Sequence, residues 1–346
     1  MAKTCKHLYD KIYDFANLYQ AYMRARRGKR YRDDVLCYSQ NLEGNLLDLQ
    51  RRLCERAWMP GGFREKCIYE PKPRDIRIAP FEDRIVHHAL CDVIGPLFEK
   101  TFIYDSYACR VNKGTHAAAG RLQQFLRCSE SAYCLSADLS KYFDSVNHGV
   151  VIRELEWRIA DVDVLELCKR ILSSYESELE LIGTRDPKGI PIGNLTSQWF
   201  ANIVGNCLDY HAKYILKAKH YLRYMDNFLI LHDDKGFLIE AKLEMIRLLE
   251  SLYLVLNPKT SIFPTQLGVP FLGYRVYSDH ILPRGDNVRR GRKRIARQLQ
   301  KVAHGYMSEA EFARSLRSWF AYLQQADTYS LRMQIADQIN EELDQC

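Results

Sequence analysis

The sequence predicts an α+β fold in which short apolar strands are interleaved with longer amphipathic helices. Three observations carry this expectation. Apolar runs at His220 to Tyr224 and Phe228 to Leu231 are separated by Met225-Asp226-Asn227, the pattern of a tight β-hairpin with an acidic tip. A short apolar run over residues 132–137 ends on Asp138 and reads as a buried strand. Helical periodicity recurs between these runs without the strand–helix–strand regularity of a doubly wound sheet.

Taken in order, Leu8, Ile12, Phe15, Leu18 and Tyr22 recur at helical spacing and predict an opening helix. Leu42, Leu46, Leu49, Leu53 and Ala57 predict a second helix that stops before Pro60-Gly61-Gly62. Tyr69-Glu70-Pro71-Lys72-Pro73-Arg74 is expected to be largely non-helical, because each proline biases the residue before it towards extended geometry. Phe81 to Ile94 reads as an apolar helix with Gly95-Pro96 as its stop or kink. Val150 to Ser174 is helical in pattern, and the loop Gly189-Ile190-Pro191-Ile192-Gly193 leads into a helix from Leu195 to Leu216. After the hairpin come a helix from Phe237 to Leu252, short strands within Phe271 to Tyr277, and a helical C-terminal region.

With 346 residues, 47 % hydrophobic and 27 % charged, the chain has the composition of a globular protein large enough for two or three packed subdomains. No run approaches the roughly 18 apolar residues of a membrane helix. The start, Met1-Ala2-Lys3-Thr4-Cys5-Lys6-His7, has no apolar signal core. A cytoplasmic protein with no membrane partner is the expectation. The eleven cysteines are spread singly with no C-x-x-C pair, so they read as buried thiols rather than zinc ligands or disulfides. The net charge of +7 is concentrated in Arg24 to Arg32 and in Arg289 to Lys301. Such clusters suit a polyanion through phosphate neutralisation, or else form solvated faces.

Two acidic positions carry the chemistry. Asp226 at a hairpin tip projects a carboxylate where backbone packing is tight, although an ordinary Asp-Asn turn has the same pattern. Asp138 ends a buried strand and is followed by Phe143 and Asp144. Two carboxylates at strand ends converge on one metal site when the strands are sheet neighbours. Phosphoryl transfer uses such a site, one ion activating the attacking hydroxyl and the other stabilising the leaving oxygen. Hard oxygen ligands suit magnesium.

Asp138 with Phe143-Asp144 resembles motif A of reverse transcriptases, and Tyr224-Met225-Asp226-Asn227 resembles their Tyr-x-Asp-Asp motif C. Gly189 to Gln198 stands where that family carries motif B. Leu254 to Lys259 resembles motif D, Phe271-Leu272-Gly273-Tyr274 the primer-grip motif E, and Lys72 to Arg84 the fingers motifs. The resemblance covers about residues 65 to 280. It narrows further: Ile192-Gly193-Asn194-Leu195-Thr196-Ser197-Gln198 has the Ile-Gly-x-x-x-Ser-Gln form of diversity-generating retroelement enzymes. Tyr69 to Arg74, Tyr107-Ala108-Cys109-Arg110, Lys113-Gly114-Thr115-His116 and Ala326-Asp327-Thr328 look the same way.

The resemblance implies a right-hand polymerase fold. N-terminal helices and fingers would span 1–131, a palm of antiparallel sheet with helices 132–280, and a basic helical thumb 281–346. It implies two Mg2+ ions held by Asp138, the Leu139 carbonyl and Asp226. Phe143 would be the gate against a ribose 2′-hydroxyl, with a core phenylalanine as the alternative. Lys72, Arg74 and Arg77 would bind the incoming triphosphate, and Lys259 would protonate the leaving pyrophosphate. Ile192, Gly193 and Gln198, with Ser197, would line the templating pocket. The subfamily links its counterparts of Ile192 and Arg74 to loose selection opposite adenine. Arg110 and Lys113 would contact template or triphosphate, and Arg290, Arg292, Lys293 and Arg294 would grip nucleic-acid phosphates.

The implied activity is error-prone copying of a template-repeat RNA into cDNA from dNTPs, in the cytoplasm of a bacterium that carries the element itself or on a phage. The implied partner is a small basic oligomeric accessory protein. A retron or defence-type enzyme is a second reading. Asn227 stands where the family has aspartate. Asparagine keeps the shape but removes one negative charge, so metal affinity and rate should fall, and a catalytically impaired RNA-binding scaffold is a third reading.

Overall fold

The structure, a computed structural model, describes residues 4–69, 73–128, 131–175 and 187–344. The N-terminal periodicity becomes two helices, α1 (Tyr9–Tyr13) and α2 (Phe15–Ala25). Asp14 causes the break: its carboxylate accepts the N–H groups of Ala16 and Asn17 and caps α2. An unanticipated α3 (Asp33–Gln40) precedes α4 (Leu42–Cys54), which follows the expected periodicity. The fingers hairpin pairs β1 (Arg64–Ile68) with β2 (Arg74–Ile78) in antiparallel register.

Next, α5 (Phe81–Glu99) continues through Gly95-Pro96 and does not stop there. Burial explains the continuation. Ile85, Val86, Ala89, Leu90 and Ile94 are fully covered, and Gly95 lies against the Trp199 ring, 2.8 Å from where a Cβ would stand. That packing outweighs the single backbone bond lost at Pro96. The chain continues through α6 (Thr115–Leu126), β3 (Tyr133–Asp138) and the single turn α7 (Tyr142–Ser145). The pattern from Val150 to Ser174 splits into α8 (His148–Glu156) and α9 (Val162–Ser173). Asp161 sits at the break, one oxygen capping Val164 N and the other accepting from Leu8 N and Tyr9 N of the distant N-terminus.

Then come α10 (Leu195–Tyr210), extended by one π-turn (His211–Ile215), β4 (His220–Tyr224), β5 (Asn227–His232) and α11 (Lys235–Ser251). The last elements are β6 (Ser261–Pro264), β7 (Val269–Phe271), β8 (Tyr274–Val276), β9 (Ile281–Pro283), α12 (Gly285–Ala303), α13 (Glu309–Leu323) and α14 (Tyr329–Asp344).

The central sheet is antiparallel in the order β4-β5-β3-β6. Both of its faces are buried, so β5 reads as a continuous apolar run rather than an alternating one. Alternate residues serve different cores. Phe228 and Ile230 join the large core built with α5, α8, α10 and α11. Leu229 and Leu231 join a second core formed by α6 and the β7-β8-β9 sheet. The large core also takes in α1, α2 and α4, so the N-terminal helices and the central sheet are one packed body. A separate core holds α12, α13 and α14 together through Ile295, Leu299, Phe312, Trp319, Leu323, Ile335 and Ile339. Fingers hairpin, central palm sheet and helical thumb make the right hand.

Among the described residues no helix is long and apolar enough to cross a membrane. The described cysteines carry no disulfide, but only some match the buried-thiol expectation. Cys91, Cys134 and Cys168 are buried, whereas Cys37, Cys54, Cys67, Cys109 and Cys128 are exposed. The first three face the interior of a helix or strand packed on the core, and the others sit on outer faces or turns.

Candidate active site

Strand register brings the two acidic positions together. Asp138 is the last residue of β3 and lies directly across from Asn227, the first of β5. One step on, Leu139 N donates to Asp226 O at 3.0 Å. Tyr224 pairs with Asn227, leaving Met225 and Asp226 as a two-residue turn. Met225 takes a positive φ of 57° to close it. Both aspartates are half-buried. Burial pushes the Asp226 carboxyl above its usual range, and the Asn227 amide and the charges of Arg74 and Arg223 act in the opposite direction. The Asn227 amide donates to Asp226 Oδ1 at 3.2 Å.

Asp138 has a second anchor that sequence reasoning named without assigning a role. Asn257 donates from Nδ2 to Asp138 Oδ2 at 3.0 Å and from its backbone N to Asp138 O at 2.7 Å. Ser140 N bonds Val255 O, so the segment after α11 is stitched along the start of the loop that follows β3. Lys259 is exposed two residues beyond, where its own N–H bonds the Asn257 side chain.

Arg223 was missed altogether. It is the penultimate residue of β4, fully buried in the strand that reads as apolar, and it binds Asp209 of α10. An arginine inside a buried strand is itself a signal, because a charge there requires a partner.

The motif B loop lies against the fingers. Gly193 has φ 111°, and a Cβ there would stand 3.0 Å from Ile76 Cγ2 of β2. Asn194 Nδ2 reaches Arg77 O at 3.5 Å. Ile192 and Gln198 are half-buried, Gly193 is exposed, and Ser197 is buried in the first turn of α10. Ile190 N bonds Phe143 O at 2.8 Å, which ties this loop to α7. Phe143 is half-buried, edge-on to Tyr142 at 6.0 Å.

Among the expected triphosphate ligands, Lys72 lies outside the described residues. Arg74 is exposed, with its charge acting on Asp226. Arg77 is engaged within the fingers: it pairs with Glu65 at 3.1 Å and covers the Tyr175 ring at 4.7 Å.

Arg110 is turned inward. Its side chain is only 7 % exposed, pairs with Glu99 at 2.8 Å and donates to Ile103 O and Ser106 O. These bonds tie the 103–110 segment to Glu99 at the end of α5. Lys113 packs at the surface, donating to Tyr104 O at 2.8 Å with its ammonium over the exposed Tyr104 ring.

The thumb presents cations as a stripe. Arg290, Lys293, Arg294, Arg297 and Lys301 line one groove of about 790 Å3 together with Tyr69 at the end of β1. Their spacing keeps them on one side of α12, while Ile295 and Leu299 face the thumb core. Arg292 is exposed but does not line this groove.

A family model described as Reverse transcriptase (RNA-dependent DNA polymerase) matches residues 69–276. Protein YkfC of Escherichia coli (strain K12) is 28 % identical over 250 residues, covering 60 % of this chain and 65 % of YkfC. A putative COX1/OXI3 intron 1 protein of Saccharomyces cerevisiae is 25 % identical over 143 residues, covering 40 % of this chain and 17 % of that protein. The chain thus spans less than two thirds of the length of these relatives. Apo telomerase from Candida tropicalis superimposes with a TM-score of 0.48 at 12 % identity, covering 64 % of this chain and 48 % of the telomerase chain. The family match spans more than half of the sequence and includes both Asp138 and Asp226, so the chain belongs to the reverse transcriptase family.

Proposed function

We propose that this chain is an RNA-directed DNA polymerase that copies a template-repeat RNA into adenine-mutagenised cDNA, as the reverse transcriptase of a diversity-generating retroelement. The observation that carries the polymerase is the adjacency of Asp138 and Asp226, joined through the Leu139 N–H and braced by Asn257. The Ile192-Gly193 and Ser197-Gln198 form of the adjoining loop supports the retroelement subclass.

The site's donors fit a hard divalent cation. Two carboxylates sit at adjoining strand ends, and Asp226 is held where burial disfavours its charge, a cost that a cation relieves. Asp138 and Asp226, with the Leu139 carbonyl, would hold two magnesium ions, with water and substrate phosphates in the remaining positions. When bound, the metal activates the attacking hydroxyl and stabilises the leaving oxygen.

The protein's own groups do the rest. Arg74, exposed beside Asp226, is suited to triphosphate oxygens. Phe143, fixed through its carbonyl to Ile190, stands beside the motif B loop as the candidate sugar gate. Ile192, Gly193 and Gln198 shape the templating pocket, and loose contacts there reduce the penalty for a wrong pair, about tenfold in selectivity per 1.4 kcal/mol. Lys259 is the candidate proton donor to pyrophosphate. The thumb stripe grips the template–cDNA backbone, and a small basic accessory protein is the expected partner.

Primer extension on an adenine-containing RNA with dNTPs and magnesium, followed by cDNA sequencing, tests this reading. Parallel arms add the native RNA and the accessory protein. Errors concentrated opposite adenine support the retroelement assignment. Accurate extension would move the chain to another reverse-transcriptase class. Asn227 supports a second reading, an RNA-binding scaffold, which RNA binding without extension in wild type and Asn227→Asp alike would establish.

A further inference from the structure

Arg223 satisfies every donor it has. A guanidinium carries five N–H groups, and five acceptors surround this one. Nε–H donates to Asp209 Oδ1 at 2.7 Å, and one Nη2–H donates to Asp209 Oδ2 at 2.7 Å. The other Nη2–H reaches Ser106 Oγ at 3.2 Å. Nη1 donates to Asn202 Oδ1 at 3.3 Å and to Met225 O at 3.0 Å. The last acceptor is the carbonyl of the turn residue preceding Asp226.

These acceptors come from three separate parts of the chain. Asn202 and Asp209 belong to α10, whose first turn carries Ser197 and Gln198. Ser106 belongs to a strap that also brackets the Arg223 backbone, through Arg223 N to Asp105 O and Tyr107 N to Arg223 O, both 2.9 Å. Asn202 Nδ2 returns to the same strap at Ala108 O. Met225 belongs to the metal-facing turn. Gly205 leaves the space that the guanidinium fills: a Cβ there would approach Nη1 most closely and stand 2.6 Å from Cζ.

We infer that Arg223 is a positioning residue that locks the Asp226 turn to the motif B helix, so that one buried side chain sets the metal carboxylate and the templating loop relative to each other. This rests on the reading that Asp226 holds the catalytic metal. A bare ion pair with Asp209 would need only two of the five donors. The bond to Met225 O adds nothing to charge neutralisation, but it fixes the peptide from which Asp226 projects. The side chain touches no reacting group, so its effect on catalysis passes through Asp226 and α10. Lysine keeps the charge but has three donors and no planar fork, so it cannot hold Asp209, Asn202, Ser106 and Met225 at once.

The test uses the full chain in primer extension with a magnesium titration, alongside thermal melting. Arg223→Lys removes the fork. Gly205→Ala keeps every charge but displaces the guanidinium. Leu167→Ala, in the buried face of α9, supplies a matched loss of Tm away from the site. Arg223→Lys and Gly205→Ala are expected to raise the magnesium midpoint several-fold and to lower kcat about tenfold, an increment of about 1.4 kcal/mol in the barrier. KM for the primed RNA should stay within about twofold, since its phosphates bind at the thumb. Leu167→Ala should lose Tm without moving the magnesium midpoint.

If both site variants lose Tm but keep the wild-type midpoint and kcat per folded molecule, Arg223 is structural only and the inference is overturned. If Arg223→Lys does not fold, Gly205→Ala alone decides by the same criterion. Loss of extension in Asp226→Ala checks the underlying reading separately. An active Asp226→Ala would overturn the metal assignment, and the positioning role with it, whatever Arg223→Lys does.

Discussion

Asn227 is the direct cross-strand partner of Asp138 and donates its amide to Asp226, so one atom change there acts on both carboxylates. Asn227→Asp replaces that donor with a third carboxylate beside two others. With a divalent cation present it adds a ligand; without one it adds repulsion. Extension by Asn227→Asp should therefore be faster, roughly tenfold for about 1.4 kcal/mol, with a lower magnesium midpoint, while its Tm in EDTA falls. Unchanged rate and midpoint would refute this account. A second residue gives a pH signature. Asp83 is buried at the start of α5, which raises its carboxyl to about 6; a 2.8 Å bond from Gly61 N only partly offsets that burial. The folded state thus binds this proton more tightly than the unfolded chain, whose aspartates titrate near ~3.9. The resulting stability is fully present below that value and is lost as pH rises through about 6. Asp83→Asn keeps an acceptor for Gly61 and cannot ionise, so its Tm should gain on wild type between pH 4 and pH 8. An equal Tm difference at both ends would show that Asp83 is not the titrating group.

At the scale of elements, the thumb depends on one close crossing. Gly291 of α12 lies against Trp319 of α13, where a Cβ would overlap the indole and stand 2.6 Å from Nε1. Gly291→Ala must push the helices apart or turn the ring, an overpacking cost of about 1–3 kcal/mol. Trp319 also lines the cationic groove beside Tyr322, so the displacement reaches the surface assigned to nucleic acid. Melting followed by thumb tryptophan fluorescence should show the loss, and an unchanged Tm would mean the crossing relaxes freely. The β7–β8 hairpin seats this domain. Its turn residues Leu272 and Gly273 both take positive φ, and Gly273 O accepts from Tyr322 OH, Arg284 N and Asn287 Nδ2. The β7–β8 turn is therefore the joint between the sheet and the C-terminal helices.

Across the whole molecule, charge separates the grooves by task. Among the described residues, the thumb-facing groove is lined by five cations and no carboxylate, whereas a groove along α8 and α10 mixes Arg153 and Arg158 with Glu154 and is walled by Trp157, Tyr210 and Tyr214. The first has the charge to receive the proposed polyanion. Each neutralised phosphate contributes about −0.7 to the salt slope for a single strand. Replacing Lys293, Arg294, Arg297 and Lys301 with glutamine should flatten the slope of log affinity against log salt by about three for a primed RNA. A slope equal to wild type would place the backbone elsewhere.

How much of this was legible in the sequence depends on the range over which each feature is decided. The two carboxylates, their strand ends and the hairpin tip were legible because chain turns and apolar strands are local chemistry. β3 and β5 then had few other ways to pair with both faces buried. The motif B loop and the cationic face of α12 were legible for the same reason, as glycine placement and helical spacing are short-range patterns. The tertiary structure alone decided what long-range partners decide. Asp161 breaks a helix by serving the N-terminus 152 and 153 residues away, and α5 survives Pro96 because Ile94 and Phe98 on either side of it are packed into the core. Arg110 and Arg223 are both arginines in the region of the family match; the apolar strand around Arg223 signals that it needs a partner, but neither arginine's partners can be read from its neighbours in sequence. Only the acceptors that folding gathers around them, Glu99 and two carbonyls for one, Asp209 and three further oxygens for the other, turn surface-type charges into buried fasteners.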